Sequence, residues 1–368
     1  MKIALLTSSR ADYSIYVPLI KAILAESWQL EIVAFGTHLS PAHGLTYQLI
    51  EKDGFVVAHK LMTLVAGDKP CHVAASMALT MSVFAEFWAE HTFDLVIVLG
   101  DRYEMFAAVA AAMPFNYIVA HISGGETTLG AIDNAFRHSI SHMSRLHFVS
   151  AQPYAERLQH ILGTATGIYN TGSLSLENYQ NFTLLSRRDL FERWGVDEGV
   201  PYILITLHPE TVSYEKNSVY VDETIAALNQ LEGFLLVITM PNADTMGDMI
   251  REKWISFSEN NKNVRLVENF GSVGYLSAMY HCQLMLGNTS SGFVEASMFP
   301  KWVINLGNRQ QGRISTPNIL QVPFDKVEIR RAIDSIRSKT LMPEIDIYGA
   351  GDASSRMISA IKENCGIA

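Results

Sequence analysis

Short runs rich in Val, Ile and Leu alternate along the chain with longer stretches whose apolar residues recur at helical spacing. Runs that are apolar at nearly every position, rather than at every second one, belong to strands covered on both faces, and the helices between them supply the cover. The pattern predicts strands at Ile3–Thr7, Leu30–Phe35, Phe55–His59, Leu95–Leu99, Tyr117–Ala120 and Leu146–Val149. It restarts at Tyr202–Thr206, Leu235–Thr239, Val264–Leu266, Leu284–Leu286 and Trp302–Ile304. Between the two series, Asn170-Thr-Gly-Ser173 and the charged stretch from Ser186-Arg-Arg-Asp189 to Asp197-Glu-Gly-Val-Pro201 mark a break near residues 170 to 200. The expected fold class is α/β, with two successive parallel sheets of similar size and a ligand-binding cleft between them. The stretch Met77-Ala-Leu-Thr-Met81 reads as core packing.

Composition narrows this picture. A chain of 368 residues, 48% hydrophobic and 18% charged, has the size for two folded domains. Its net charge of −9 argues against a general nucleic-acid surface while leaving room for a basic pocket that takes an anionic metabolite. Cys71, Cys282 and Cys365 are scattered, so neither a disulfide framework nor a cysteine zinc site is indicated. The first apolar run, Met1 to Thr7, is far shorter than a signal or membrane segment. A cytoplasmic enzyme with no membrane partner is the expectation.

Chemistry concentrates at strand ends. His121-Ile-Ser-Gly-Gly-Glu126, followed by Asp133, Arg137, His138 and His142, brings carboxylates, an arginine and imidazoles to the point where an apolar strand gives way to a helix. Asp101 ends the preceding strand, and active sites gather at the carboxyl ends of parallel strands. Arg10 and Ser14 follow the first strand, where backbone N–H groups at a helix start suit a phosphate. Thr289, Ser290, Ser291 and Gly292 sit at a later strand-to-helix turn; glycines there let backbone approach an anion, and Glu295 can accept from a ribose diol. Arg309 and Arg313 add two cations. The plainer readings are helix caps for Asp101, Thr289 and Ser290, and structural or substrate-facing histidines for the pair His138 and His142, rather than a zinc site.

Seven blocks in order, Ser9–Ser14, Leu99–Glu104, His121–His142, Thr206–Thr211, Asn242–Thr245, Gly287–Gly292 and Asn308–Arg313, resemble the UDP-N-acetylglucosamine 2-epimerases, with a closer likeness to the hydrolysing branch that feeds sialic and legionaminic acid synthesis. The resemblance implies a glycosyltransferase-B-like architecture: a Rossmann-like domain over residues 1–170, a second over 171–350, and a helix within 351–368 returning to the first. It further implies a homo-oligomer (dimer or tetramer) acting on a UDP-sugar, with neither a nicotinamide cofactor nor a catalytic metal. UDP is expected on Ser290, Ser291 and Glu295, with Arg10, Arg102, Arg309 or Arg313 near the diphosphate.

The implied reaction explains the residue types. C2 of an N-acetylhexosamine has no adjacent carbonyl, so a base removes its proton while UDP leaves C1, giving a glycal. Water then adds, C2 is protonated from the opposite face, and a free 2-epimer is released. Carboxylates beside the sugar and cations beside the diphosphate stabilise such a transition state. Matching positions are Asp101, Asp133, Arg137 and His208. Many relatives carry glutamate two residues after the motif histidine, whereas this chain has Ser123, which moves that role to Glu126 or Asp133. The expected substrate is UDP-N-acetylglucosamine or UDP-N,N′-diacetylbacillosamine, the Gly130–Asn134 segment leaning to the second. The alternatives are a non-hydrolysing 2-epimerase and a glycosyltransferase of the same architecture.

Overall fold

The computed structural model describes every residue except 68, 128–131, 181, 211–213, 230, 242–246, 300, 338, 340–346 and 366–368. Thirteen strands run through the described residues: β1 Lys2–Thr7, β2 Gln29–Phe35, β3 Val57–Leu61, β4 Leu95–Leu99, β5 Val119–Ile122, β6 Leu146–Val149, β7 Ile168–Asn170, β8 Tyr202–Thr206, β9 Leu235–Thr239, β10 Val264–Val267, β11 Leu284–Gly287, β12 Trp302–Leu306 and β13 Ile319–Val322. They form two parallel sheets, in the orders β3-β2-β1-β4-β5-β6-β7 and β10-β9-β8-β11-β12-β13. In each, the first strand of the series lies inside and the chain winds out both ways, which is the Rossmann-like, doubly wound order. The chain divides into two compact units, one of Met1–Glu126, Asp133–Gln180 and Ile347–Ala368, the other of Thr127–Ile132 and Asn181–Asp346.

The continuous apolar runs are explained by double burial. In β1, Ile3 and Leu5 enter one core and Ala4 and Leu6 the other; in β4, Leu95, Ile97 and Leu99 separate from Val96 and Val98 in the same way. In β8, Ile203 and Ile205 face one cluster, Tyr202 and Leu204 another. The helix Arg10–Ala25 starts with a capping box, Ser9 at the cap and Asp12 at its third position, so its start is fixed locally. The helix Ala353–Asn364 places Met357, Ile358 and Ile361 in the core that holds Ile3, Tyr16 and Leu19, and Ser354 N–H donates to Glu177 at 2.6 Å.

Two expected strands lie later than the pattern placed them: Phe55–His59 becomes Val57–Leu61 and Tyr117–Ala120 becomes Val119–Ile122. Core packing for Met77–Met81 is also corrected. In the helix Pro70–Glu90, Leu79 and Met81 are exposed, and the buried residues include Ser76, Thr80, Phe84 and Phe87. Helical periodicity shows an apolar stripe without telling which body covers it. No helix of the described residues is long and apolar enough to cross a membrane.

Candidate active site

A doubly wound sheet opens a crevice where its strand order reverses, between β1 and β4 in the first unit and between β8 and β11 in the second. In the first unit, Gly100 and Asp101 follow β4, Ser123 and Glu126 follow β5, and Arg137 stands on the helix Asp133–His142. The Arg137 guanidinium pairs with Asp101 Oδ2, donates to the Ser123 carbonyl at 2.7 Å, and lies 3.9 Å from Glu126 Oε2. Only 4% of the Arg137 side chain is exposed, against 24% for Asp101 and 9% for Glu126. Of the two carboxylates, Asp101 therefore has the freer approach to a ligand. Asp133 opens the same helix one turn before Arg137, and the half-buried His138 follows, its basicity lowered by burial and then by the Arg137 charge.

Backbone conformation holds this group together. The His121 ring lies beneath the loop, Nε2 at 2.8 Å from the Gly100 carbonyl and Nδ1 at 3.0 Å from Ser141 Oγ. Burial pushes its pKa down to about 3, so it is a neutral strut whose Nε2–H donates to the Gly100 carbonyl. Ser123 adopts φ +66°, uncommon for a residue with a side chain, and this turns its carbonyl onto Arg137. Ser123 thus contributes its backbone to the group. Gly125 is required: a Cβ would come within 2.3 Å of the Tyr154 carbonyl.

The loop after β1 differs from a simple anion seat. Asp12, buried, accepts from the N–H groups of Ser8 and Ser9, both at 3.0 Å, and from Ser8 Oγ at 2.7 Å. Those donors are satisfied from within the protein. Arg10 is exposed at the first helical position, and Ser14 Oγ donates to the Ala11 carbonyl at 3.0 Å. Asp101 is not a helix cap, as Arg102 holds the cap position of Tyr103–Ala112 and makes no side-chain cap bond. Arg102 is instead engaged by the buried Glu104 at 2.9 Å.

The second unit ties three loops together. Asn288, fully buried after β11, grips the backbone of His208 after β8 on both sides, accepting from its N–H at 2.7 Å and donating to its carbonyl at 2.8 Å. The Asn288 carbonyl accepts from Arg309 Nη1 at 3.3 Å and Gln310 Nε2 at 2.9 Å. Buried Glu210 accepts the N–H groups of Asn308 and Arg309, at 2.7 and 3.1 Å. Arg313 Nε donates to Gln310 Oε1 at 2.7 Å.

Between β11 and β12 the described residues form no α-helix; Ser290–Gly292 and Glu295–Ser297 are single 3₁₀ turns. Thr289 caps the first. The Ser291 hydroxyl lies 2.6 Å from Tyr275 Oη and 3.0 Å from Thr289 Oγ1, whereas Ser290 is exposed. Both glycines answer to internal packing: a Cβ on Gly287 would meet the Thr206 carbonyl at 1.9 Å, and one on Gly292 would meet Val303 at 2.9 Å.

Comparison with known proteins decides the family. The model of the UDP-N-acetylglucosamine 2-epimerase family matches residues 21–362. This chain belongs to that family. Among similar epimerases, the GDP/UDP-N,N′-diacetylbacillosamine 2-epimerase (hydrolyzing) of Campylobacter jejuni is 35% identical over 92% of this chain and 88% of its own. The UDP-N,N′-diacetylbacillosamine 2-epimerase (hydrolyzing) of Legionella pneumophila is 30% identical over 98% and 95%. In fold, the UDP-GlcNAc 2-epimerase of Neisseria meningitidis, solved with UDP-GlcNAc, superimposes with a TM-score of 0.83 over 99% of this chain and all of its own, at 17% identity.

In this epimerase, the structure gathers Asp101, Glu126 and Arg137 in one unit, and His208, Arg309 and Arg313 around Asn288 and Gln310 in the other. Sequence reasoning assigned no role to Asn288, Glu210, Gln310 or Tyr275, although the first three stand inside the quoted blocks. Thr211, the block Asn242–Thr245, and Gly130 and Ala131 lie outside the described residues.

Proposed function

We propose that this epimerase is of the hydrolysing kind, converting a UDP-linked 2-acetamido sugar to UDP and the free 2-epimer. The observation that carries the chemical reading is the Arg137 guanidinium flanked by Asp101 and Glu126 at the ends of β4 and β5. Abstracting the C2 proton as the C1–O bond to UDP breaks, then returning a proton to C2 from the other face as water adds at C1, asks for two proton-transfer groups. Asp101, the more accessible, is assigned to the sugar; Glu126 or Asp133 serves the other face, and Arg137 keeps Asp101 placed. His208 and Arg309 are assigned to the departing diphosphate, Ser290 and Glu295 to the nucleotide. Two relatives, at 35% and 30% identity, are named for N,N′-diacetylbacillosamine and favour UDP-N,N′-diacetylbacillosamine as substrate, while a third at 33%, named a polysialic acid biosynthesis protein, supports UDP-N-acetylglucosamine as the second reading.

Incubation in D₂O with each UDP-sugar, followed by ³¹P and ¹H NMR, tests this. Free UDP and a free manno-configured sugar deuterated at C2 are expected, with the diacetylated substrate the faster. An intact deuterated UDP-sugar would overturn the hydrolytic assignment.

We also propose that two copies pair through the helix Pro70–Glu90. Its outward Ala74, Ala75, Ala78, Leu79, Met81 and Ala85 are exposed and uncharged, so the face is self-complementary to a second copy but a poor one to leave in water. Sedimentation should give a dimer or larger that falls to monomer in Leu79→Glu/Met81→Glu. A monomeric wild type excludes the idea.

A further inference from the structure

Glu31, His59 and His91 stand apart from every loop described above. Glu31 is in β2, His59 in the edge strand β3, and His91 ends the helix Pro70–Glu90. The β2–β3 ladder slips between Ile32 and Val33, so that Val33 pairs with His59 and the imidazole comes out on the Glu31 side of the sheet. His59 Nε2 lies 2.8 Å from Glu31 Oε2, the His59 and His91 ring centroids are 4.5 Å apart, and one donor atom from each of the three residues falls within 4.8 Å of the others.

The surroundings prepare that arrangement. The other carboxylate oxygen, Glu31 Oε1, takes Gln29 Nε2 and Lys2 Nζ, each at 3.0 Å, which fixes the carboxylate with Oε2 toward the imidazoles. The Phe87 ring packs against both histidines, at 4.9 and 4.6 Å. His91 is held by its backbone, its N–H on the Phe87 carbonyl and its carbonyl on Tyr117 Oη. A His59–Glu31 hydrogen bond alone accounts for one imidazole. It leaves the second, whose ring has no hydrogen-bond partner among the described residues, turned toward the same carboxylate.

We propose that Glu31, His59 and His91 form a binding site for a divalent transition-metal ion. Two imidazole nitrogens and one carboxylate oxygen are the donor set of zinc, nickel or copper rather than of magnesium or calcium, and three protein ligands leave a position for water. The bound ion ties β2, β3 and a helix end together and takes no part in the sugar chemistry. The Lys2 ammonium, on the same carboxylate, opposes it.

The test is calorimetric titration of Zn²⁺ into the untagged, metal-stripped full chain. One equivalent should bind to wild type. Affinity should fall by about tenfold or more in His59→Ala and in His91→Ala, a size ordinary for disturbing a metal site, and should rise in Lys2→Met. Cobalt substitution should give a visible absorption band that both histidine variants lose. Epimerase turnover should be the same in all three variants. No binding at micromolar Zn²⁺, or binding unchanged in both histidine variants, overturns the assignment.

Discussion

Asp101→Asn is expected to lower turnover by about 10³-fold, within the range for removing a positioned acid–base group, which corresponds to about 4 kcal/mol of barrier. The amide matches the carboxylate in size and can still accept from Arg137, so the substitution changes protonation chemistry more than shape. Arg137 does not lose its whole environment, because Glu126 stays 3.9 Å away and the Ser123 carbonyl keeps its 2.7 Å bond. The stability loss should therefore be modest, about 1–3 kcal/mol for weakening one charge-assisted hydrogen bond. Affinity for UDP should be unchanged, since the nucleotide is assigned to the other unit. Single-turnover rates, thermal midpoint and UDP titration check the three parts separately. Turnover within tenfold of wild type, with UDP still bound, would show that Asp101 is not the group acting on the sugar.

Legibility in the sequence followed the range of the interactions. β4, β6, β8 and β9 match their apolar runs residue for residue because a strand buried on both faces writes its burial into every position. β7, Ile168-Tyr-Asn170, and β13, Ile319-Leu-Gln-Val322, escaped notice: they are short edge strands, half covered and partly polar, and so read as loops. The grouping of Asp101, Glu126 and Arg137 was legible because these residues are concentrated in two blocks. What stayed hidden depends on contacts between distant segments. Nothing in Gly287-Asn288-Thr289 announces that the asparagine holds a backbone 80 residues away, or in His208-Pro-Glu210 that the glutamate caps a loop 98 residues on. The packing role of Gly287 was hidden for a related reason, since the atom that forbids a side chain there is the Thr206 carbonyl of the neighbouring strand.

Asn288→Ala carries the second large effect, and it isolates the clamp on His208 from the rest of the loop. The substitution removes the side-chain bonds to the His208 N–H and carbonyl, yet leaves the Asn288 carbonyl free to keep Arg309 and Gln310. Depriving a buried polar group of its partner costs about 1–3 kcal/mol, and the space vacated by a fully buried side chain adds to this. A loss of about 2–4 kcal/mol in unfolding free energy is expected, at the upper end for a single substitution. The functional consequence is separable. His208 gains freedom where the diphosphate is assigned, so KM for the UDP-sugar and the inhibition constant of UDP should each rise about tenfold or more, because misplacing a group by an ångström is costly. The rate of the sugar step once substrate is bound should change less. Asn288→Leu, which restores volume without the hydrogen bonds, should recover part of the stability and none of the affinity. A variant that loses stability but binds UDP as wild type does would make Asn288 a packing residue and remove His208 from the diphosphate.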